Sequence, residues 1–413
     1  MSRIFKALNL IILMSLWLFS SGAASEFWNL EPRVIGARSA ALGGADVALA
    51  DEPAAIFYNP AGLGQIQKKC LAAGLYLCSA QGVPILRVIY ETPPVDPGGY
   101  YYSDYQNGYP WSEKFKGLDF IAGVFRWRNF TLAGGYSRPY LKVRNYDTVL
   151  AWKDYSIPYK CNFQADRFTL SMAVSAKDKI YGGFAVHFYQ AQIYNSDFNI
   201  DQGSYQYDSI NIRRYLRVNW ERSNLEASGS GLEIGLLAKP NNDITLGLTL
   251  ASATSLEGEE FWDNYSYYAY NDTVGQDTLY SYSFWNQVEL GWKLRLAAAF
   301  GEPKETCLLL SYMYQGGSDN RNIAYPMVYP GIYPSQLEFT TETSGLAAGI
   351  QIAARKDLLI RAGGSNMNGI LNGSLGLGWQ YKNIILDGAY RQVISSSERY
   401  KSKEIFISTG YSF

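Results

Sequence analysis

From Cys70 to Phe413, large apolar residues recur at every second position in one segment after another. This pattern constrains the fold more than any other feature of the chain. Val288, Leu290, Trp292, Leu294 and Leu296 alternate with Glu289, Gly291, Lys293 and Arg295. Leu375, Leu377, Trp379 and Tyr381 alternate with Gly376, Gly378 and Gln380, and Ile244, Leu246, Leu248 and Leu250 alternate with Thr245, Gly247 and Thr249. A period of two places successive side chains on opposite faces of a strand, so each segment has one apolar face and one small or polar face.

A β-sandwich would alternate as well, so the connections decide. Short ones (126–129, 177–178, 239–242, 301–304, 355–356, 382–383) take turns with longer or polar ones (92–116, 140–162, 196–223, 258–281, 317–336, 367–370, 396–402). Short turns on one rim and longer loops on the other are the plan of an outer-membrane barrel, whose strand number is even. Counting through the connections gives about 14 strands, provided that 70–91 is one strand bent at Gly82-Val83-Pro84. The fold class is therefore all-β, a transmembrane antiparallel barrel spanning 70–413. Ile405, Ile407, Thr409, Tyr411 and Phe413 alternate to a terminal aromatic. Tyr411 and Phe413 resemble the signal read by the barrel-assembly machinery, an expected partner during biogenesis.

The other end carries a targeting segment. Arg3 and Lys6 precede an apolar run from Leu8 to Phe19, followed by small residues up to Ser25. Residues 1–25 read as a secretory signal peptide, too short to span a bilayer as a helix. The chain has 413 residues, a formal charge of −1, one His and four Cys. Near-neutral charge argues against nucleic acid as a partner. A single imidazole, His187, with no G-x-S-x-G elbow argues against catalysis and against a His-based metal centre, and no cofactor motif is present. The expectation is a monomeric, non-enzymatic protein among outer-membrane lipids.

Residues 26–69 break the alternation and are rich in Gly and Ala, which suits a compact plug of short helical turns inside the barrel. Asp51 can cap one turn ahead of Pro53, and Asn59 another ahead of Pro60. The stretches Gly36-Ala37-Arg38-Ser39-Ala40-Ala41-Leu42-Gly43-Gly44-Ala45, Asp51-Glu52-Pro53-Ala54-Ala55 and Asn59-Pro60-Ala61-Gly62-Leu63 resemble the start of FadL-type outer-membrane transporters of long-chain fatty acids. They are equally similar to PorV/PorQ-type outer-membrane proteins. The FadL resemblance implies that Asn59, Pro60, Ala61 and Gly62 belong to a hatch. A hydrophobic ligand captured at outer loops would shift that hatch and leave sideways through the wall into the bilayer. The PorV resemblance implies instead a barrel that binds secretion machinery or exported protein.

Alternation sends Arg167, His187, Glu233, Glu289, Lys293, Arg295, Arg361, Asp387 and Arg391 towards the lumen, where balanced charges can simply pair with one another. Arg295 and Arg361 are the candidates to receive a ligand carboxylate. Phe261 and Trp262, within 258–281, are candidates for a capture groove between that segment and 196–223. Tyr-rich segments equally suit the lipid headgroup belt. Adjacent Gly134 and Gly135 weaken a ladder and are the candidate site of a lateral opening.

Overall fold

The computed structural model describes residues 32–82, 111–150, 155–176, 179–206, 212–270, 273–302, 305–316, 342–395 and 401–413. Residues 1–25 and 83–91 therefore lie outside the described residues. The strand segments are β1 (Cys70–Gly82), β2 (Trp111–Trp127), β3 (Phe130–Leu150), β4 (Tyr155–Ala176), β5 (Ile180–Gln206), β6 (Ile212–Asn241), β7 (Ile244–Ala251) and β8 (Thr254–Tyr270). They continue as β9 (Thr273–Leu290), β10 (Lys293–Gly301), β11 (Thr306–Gln315), β12 (Thr343–Arg355), β13 (Leu358–Met367), β14 (Ile370–Tyr381), β15 (Ile384–Ser395) and β16 (Lys401–Ser412).

These 16 segments make 14 staves of one antiparallel barrel. β7 and β8 pair with successive stretches of the same side of β6 and are two halves of one stave. β9 and β10 are halves of the next, since β9 pairs with β8 and β10 with β7. β1 pairs with β16 from Cys70↔Ser412 to Gln81↔Lys401, which closes the sheet. Closure leaves every spanning stave paired on both sides, as a bilayer requires. Outward positions carry the lipid-facing band, for example Leu71, Leu75, Leu170, Leu232, Ile234, Leu375 and Leu377.

The staves are unequal. β5 and β6 run to 27 and 30 residues, whereas β11 and β13 have 10 each. About 9–11 residues suffice to cross a bilayer. The wall built from β3 to β6, β8 and β9 therefore stands far above the membrane on the side opposite the short turns. The polar segments 140–162, 196–223 and 258–281, expected as loops, are largely this raised wall. Their polar and aromatic composition reflects strands leaving the lipid, where the hydrophobic alternation is no longer needed.

Inside the barrel lies the plug, buried from Ile35 to Ala50 except for half-buried Gly44. It consists of α1 (Ala37–Ala41) and three short 3₁₀ helices at Asp46–Ala48, Pro53–Phe57 and Pro60–Gln65. α1 is tied at both ends: the Ala37 N–H donates to Ser408 Oγ, and Ser374 Oγ donates to the Ala41 carbonyl. Wall glycines let the plug backbone touch the strands directly. A Cβ on Gly363 would stand 2.3 Å from the Leu42 carbonyl carbon, and one on Gly183 would stand 2.3 Å from the Ala61 nitrogen. These seats spread the plug's docking over β5, β6, β7, β12, β13 and β14.

Candidate functional site

Two interruptions shape the lumen above the plug. Ser252-Ala253 separates β7 from β8, and Gly291-Trp292 separates β10 from β9. Ala251 pairs with Lys293 below the break, and Thr254 pairs with Leu290 above it, so both staves are broken at one height. Each break switches the parity of the stave. Thr245, Gly247 and Thr249 are buried below, and Thr254, Leu256 and Trp262 above. On the neighbouring stave Val288 and Leu290 are buried above the break and Lys293 below it.

The consequence is an apolar cluster over a charged floor. Tyr140, Phe163, Ala165, Tyr189, Ala191, Ile193, Leu225, Ala227, Leu256, Val288 and Leu290 form one buried cluster on the inner face of the raised wall. Beneath it lie Arg167, His187, Glu233, Lys293 and Arg295. His187 Nε2 is 3.1 Å from Glu233 Oε2, and His187 Nδ1 is 2.9 Å from Thr169 Oγ1. Arg295 Nη1 lies 3.6 Å from Glu233 Oε1 and donates to the Tyr58 carbonyl of the plug, while Arg167 Nη2 donates to the Phe57 carbonyl. Arg167, Lys293 and Arg295 gather around one carboxylate, Glu233. Lys293 is the one left over. Its Nζ sits 4.9 Å above the Tyr140 ring, with no ion-pair or hydrogen-bond partner among the described residues. The buried Tyr140 hydroxyl likewise has none among them. An unpaired amino group and an unpaired hydroxyl beneath apolar walls complement an amphiphile with an acidic head.

A second feature opens the wall. The β2–β3 ladder ends at Phe120↔Ser137, yet β2 runs on to Trp111 paired with β1, and β3 runs on to Leu150 paired with β4. Above Ser137 the two strands part. The cause is local: Arg138-Pro139 lies where the β3–β4 register slips, and Pro has no ladder donor to give. The entry to the plug crosses the foot of this cleft. The Arg33 N–H donates to the Pro139 carbonyl, its Nη1 to the Arg138 carbonyl, and its Nη2 to Asp119 Oδ1 at 3.0 Å. Asp119 Oδ2 accepts from the Gly36 N–H, and the Arg33 guanidinium stacks 3.6 Å from the Tyr76 ring centroid.

The residues singled out from sequence fall in different places. Asn59 is fully buried and caps the turn Pro60–Gln65: its Oδ1 accepts from the Ala61 N–H, and its Nδ2 donates to the Val47 carbonyl. Asp51 caps nothing, because Arg38 takes its carboxylate at 2.5 Å and Glu52 occupies the cap position of Pro53–Phe57. Arg295 belongs to the charged floor. Arg361 does not: it bonds Asp387 and Gln351 and sits away from the floor cluster, on β13, which faces α1. Phe261 and Trp262 are neighbours on β8 and so face opposite ways, Phe261 51% exposed and Trp262 buried, which prevents both from lining one groove. Gly134 and Gly135 stay paired on both sides, to Gly123 and Ala122 and to Leu170 and Thr169, so the ladder parts just beyond them. Glu289 is exposed on the outer face, because the break at Gly291-Trp292 flips its half-stave. Tyr411 and Phe413 point outward at the rim. Arg33, Asp119 and Tyr140 were not singled out. The Pro139 inside a strand was the available signal for the cleft.

By fold this is an outer-membrane barrel closed by an N-terminal plug. No family model and no curated protein matches the chain. Solved structures do. The Pseudomonas putida toluene transporter TodX superposes with a TM-score of 0.62 at 15% identity, covering 94% of this chain and 99% of that one. A Pseudomonas aeruginosa FadL homologue gives 0.64 at 13% identity over 93% and 100%. The CymD monoaromatic hydrocarbon channel gives 0.64 at 14% identity over 94% and 99%. The fold of this chain is thus the one those three structures share.

Proposed function

We propose that the protein is a passive uptake channel for hydrophobic small molecules with an acidic head, long-chain fatty acids being the leading class. The observation that carries this reading is Lys293 Nζ, set 4.9 Å over the Tyr140 ring at the foot of the apolar cluster, beside the unpaired Tyr140 hydroxyl. Structural likeness to a toluene transporter and to a FadL homologue supports a hydrophobic cargo. The plug blocks the straight path through the barrel, and the parted β2–β3 ladder supports release sideways into lipid. Arg33 then acts as the bolt between plug and wall, since it holds Asp119 on one strand and the carbonyls of Arg138 and Pro139 on the other.

The test is equilibrium binding of a fluorescent long-chain fatty acid to the detergent-folded barrel, competed with oleate. Lys293→Met is expected to weaken binding about 10- to 100-fold, as loss of a desolvated charge-assisted contact does. Arg361→Ala is expected to leave it unchanged. Binding indifferent to Lys293→Met would remove the acid site. Absence of saturable binding in a folded barrel would remove fatty acids as cargo.

A further inference from the structure

The rim that carries the short turns holds its positive charge unevenly. Over one part of it, exposed or half-exposed Lys179, Lys239, Arg355 and Lys356 are matched by Asp243, Glu302, Glu305 and Asp357. The other part is the seam where β14, β15 and β16 meet β1, β2 and β3. There the exposed side-chain charges among the described residues are Lys68, Lys69, Arg128 and Lys382, four cations against the single carboxylate on Phe413, since the plug acids Asp51 and Glu52 are held by Arg38. The seam is contiguous: the Phe413 N–H donates to the Lys69 carbonyl and the Ser412 N–H to the Asn383 carbonyl.

Three of these cations lie on outward-facing rings. Lys69 Nζ is 4.6 Å from the Phe125 centroid, Arg128 is 5.8 Å from Trp127, and Lys382 is 5.2 Å from Tyr381. Tyr381 stacks on Trp379, and Tyr411 on Phe413, so a sheet of aromatic surface spans the seam. Such rings settle at the boundary between acyl chains and headgroups, which fixes the cations at phosphate depth. A second observation is independent of charge. Arg128 and Lys382 adopt φ of 55° and 53° in two-residue turns, a conformation that favours Gly or Asn. A long cationic side chain stands at both positions in spite of that preference.

We infer that this seam is a docking site for anionic phospholipids of the inner leaflet, their phosphates met by Lys69, Arg128 and Lys382 along the rim and their acyl chains laid over the rings. Each cation near an anionic lipid surface contributes about 1 kcal/mol, or roughly 5-fold in affinity. The remaining rim, whose charges balance among the described residues, has no such preference.

The experiment is native mass spectrometry of the folded protein released from detergent containing phosphatidylglycerol or phosphatidylcholine with identical acyl chains. The expected result is retention of phosphatidylglycerol at least about 10-fold over phosphatidylcholine. The triple variant Lys69→Gln, Arg128→Asn, Lys382→Asn, which keeps both turns comfortable, should lose that preference. The matched triple Lys179→Gln, Lys239→Gln, Lys356→Gln should keep it. Heat-modifiable gel migration reports that each barrel is folded, and Lys382→Asn alone, expected to cost about 5-fold, replaces the triple if it fails to fold. Equal retention of the two lipids, equal loss in both triples, or displacement of the lipid by inorganic phosphate at the same concentration would each overturn the assignment.

Discussion

Gly363 offers a direct measure of how firmly the plug is seated. An added Cβ would stand 2.3 Å from the Leu42 carbonyl carbon, 2.5 Å from the Gly43 nitrogen and 2.7 Å from the Leu42 oxygen. Ordinary carbon contacts need about 3.5–4.0 Å, so the plug backbone must withdraw by more than about 1 Å. Those atoms are main chain and cannot swing aside. Neither can the wall, because Gly363 is paired to Gly349 on one side and Ser374 on the other. Overpacking of this kind costs about 1–3 kcal/mol, so Gly363→Ala should raise the population of unseated plug roughly 5- to 150-fold. The chain supplies its own reporter. Cys307 is a free, fully buried thiol in one cluster with Leu42 and Ala45 of the plug. Its maleimide labelling rate in folded, detergent-solubilised protein, located by peptide mapping, should rise by the same factor. Gly388→Ala is the control, since its Cβ would meet nothing within 4 Å. Labelling of Cys307 in Gly363→Ala at the rate seen in wild type and in Gly388→Ala would refute the view that wall glycines seat the plug.

Other expectations follow from the same contacts. Asn59→Ala strands the buried Val47 carbonyl and removes the cap of Pro60–Gln65, for about 2–4 kcal/mol of plug docking, read by the same thiol assay. Arg33→Ala leaves Asp119 buried without its cation and unbolts the plug from the β2–β3 cleft. It should speed transfer of a bound fluorescent fatty acid into acceptor liposomes without weakening binding, and an unchanged transfer rate would count against the bolt. Burial pushes the Glu52 carboxyl up to about 7, against the pull of Arg38. A carboxyl with a raised folded-state pKa is at no disadvantage below its unfolded value near 4.3, and its penalty grows as pH rises through 7. Plug seating should therefore weaken between about pH 5 and 8, and Glu52→Gln should flatten that slope in Cys307 labelling.

Much of the architecture was legible because lipid imposes a strict rule. Every spanning stave must put apolar residues outward at alternate positions, and the runs at Leu375–Tyr381 and Ile405–Phe413 obey it. The plug was legible for the opposite reason: a segment rich in Gly and Ala breaks that rule ahead of the first strand. Loops were misjudged where the rule lapses. Once β5 and β6 clear the membrane, polar residues no longer distinguish a strand from a loop, and only pairing such as Ile200↔Val218 reveals the strand.

The site was hidden by the pattern that revealed the barrel. Read as one strand, the run from Val288 to Leu296 sends Val288, Leu290 and Leu296 to the same lipid-facing side. The two-residue break at Gly291-Trp292 divides them: Leu296 is exposed to lipid, whereas Val288 and Leu290 are buried above the floor. The break at Ser252-Ala253 does the same for Leu256, and Ser252 holds the break in place by pairing its main-chain N–H and side-chain Oγ with the Leu232 backbone. A slip of one residue exchanges the two faces of a strand completely. Two such slips at one height therefore turn residues that look like membrane surface into a buried apolar cluster, while Lys293 and Arg295, in the unflipped lower half, still point inward as its floor. An apolar cluster over a charged floor can thus be built without any departure from the alternation that the bilayer demands.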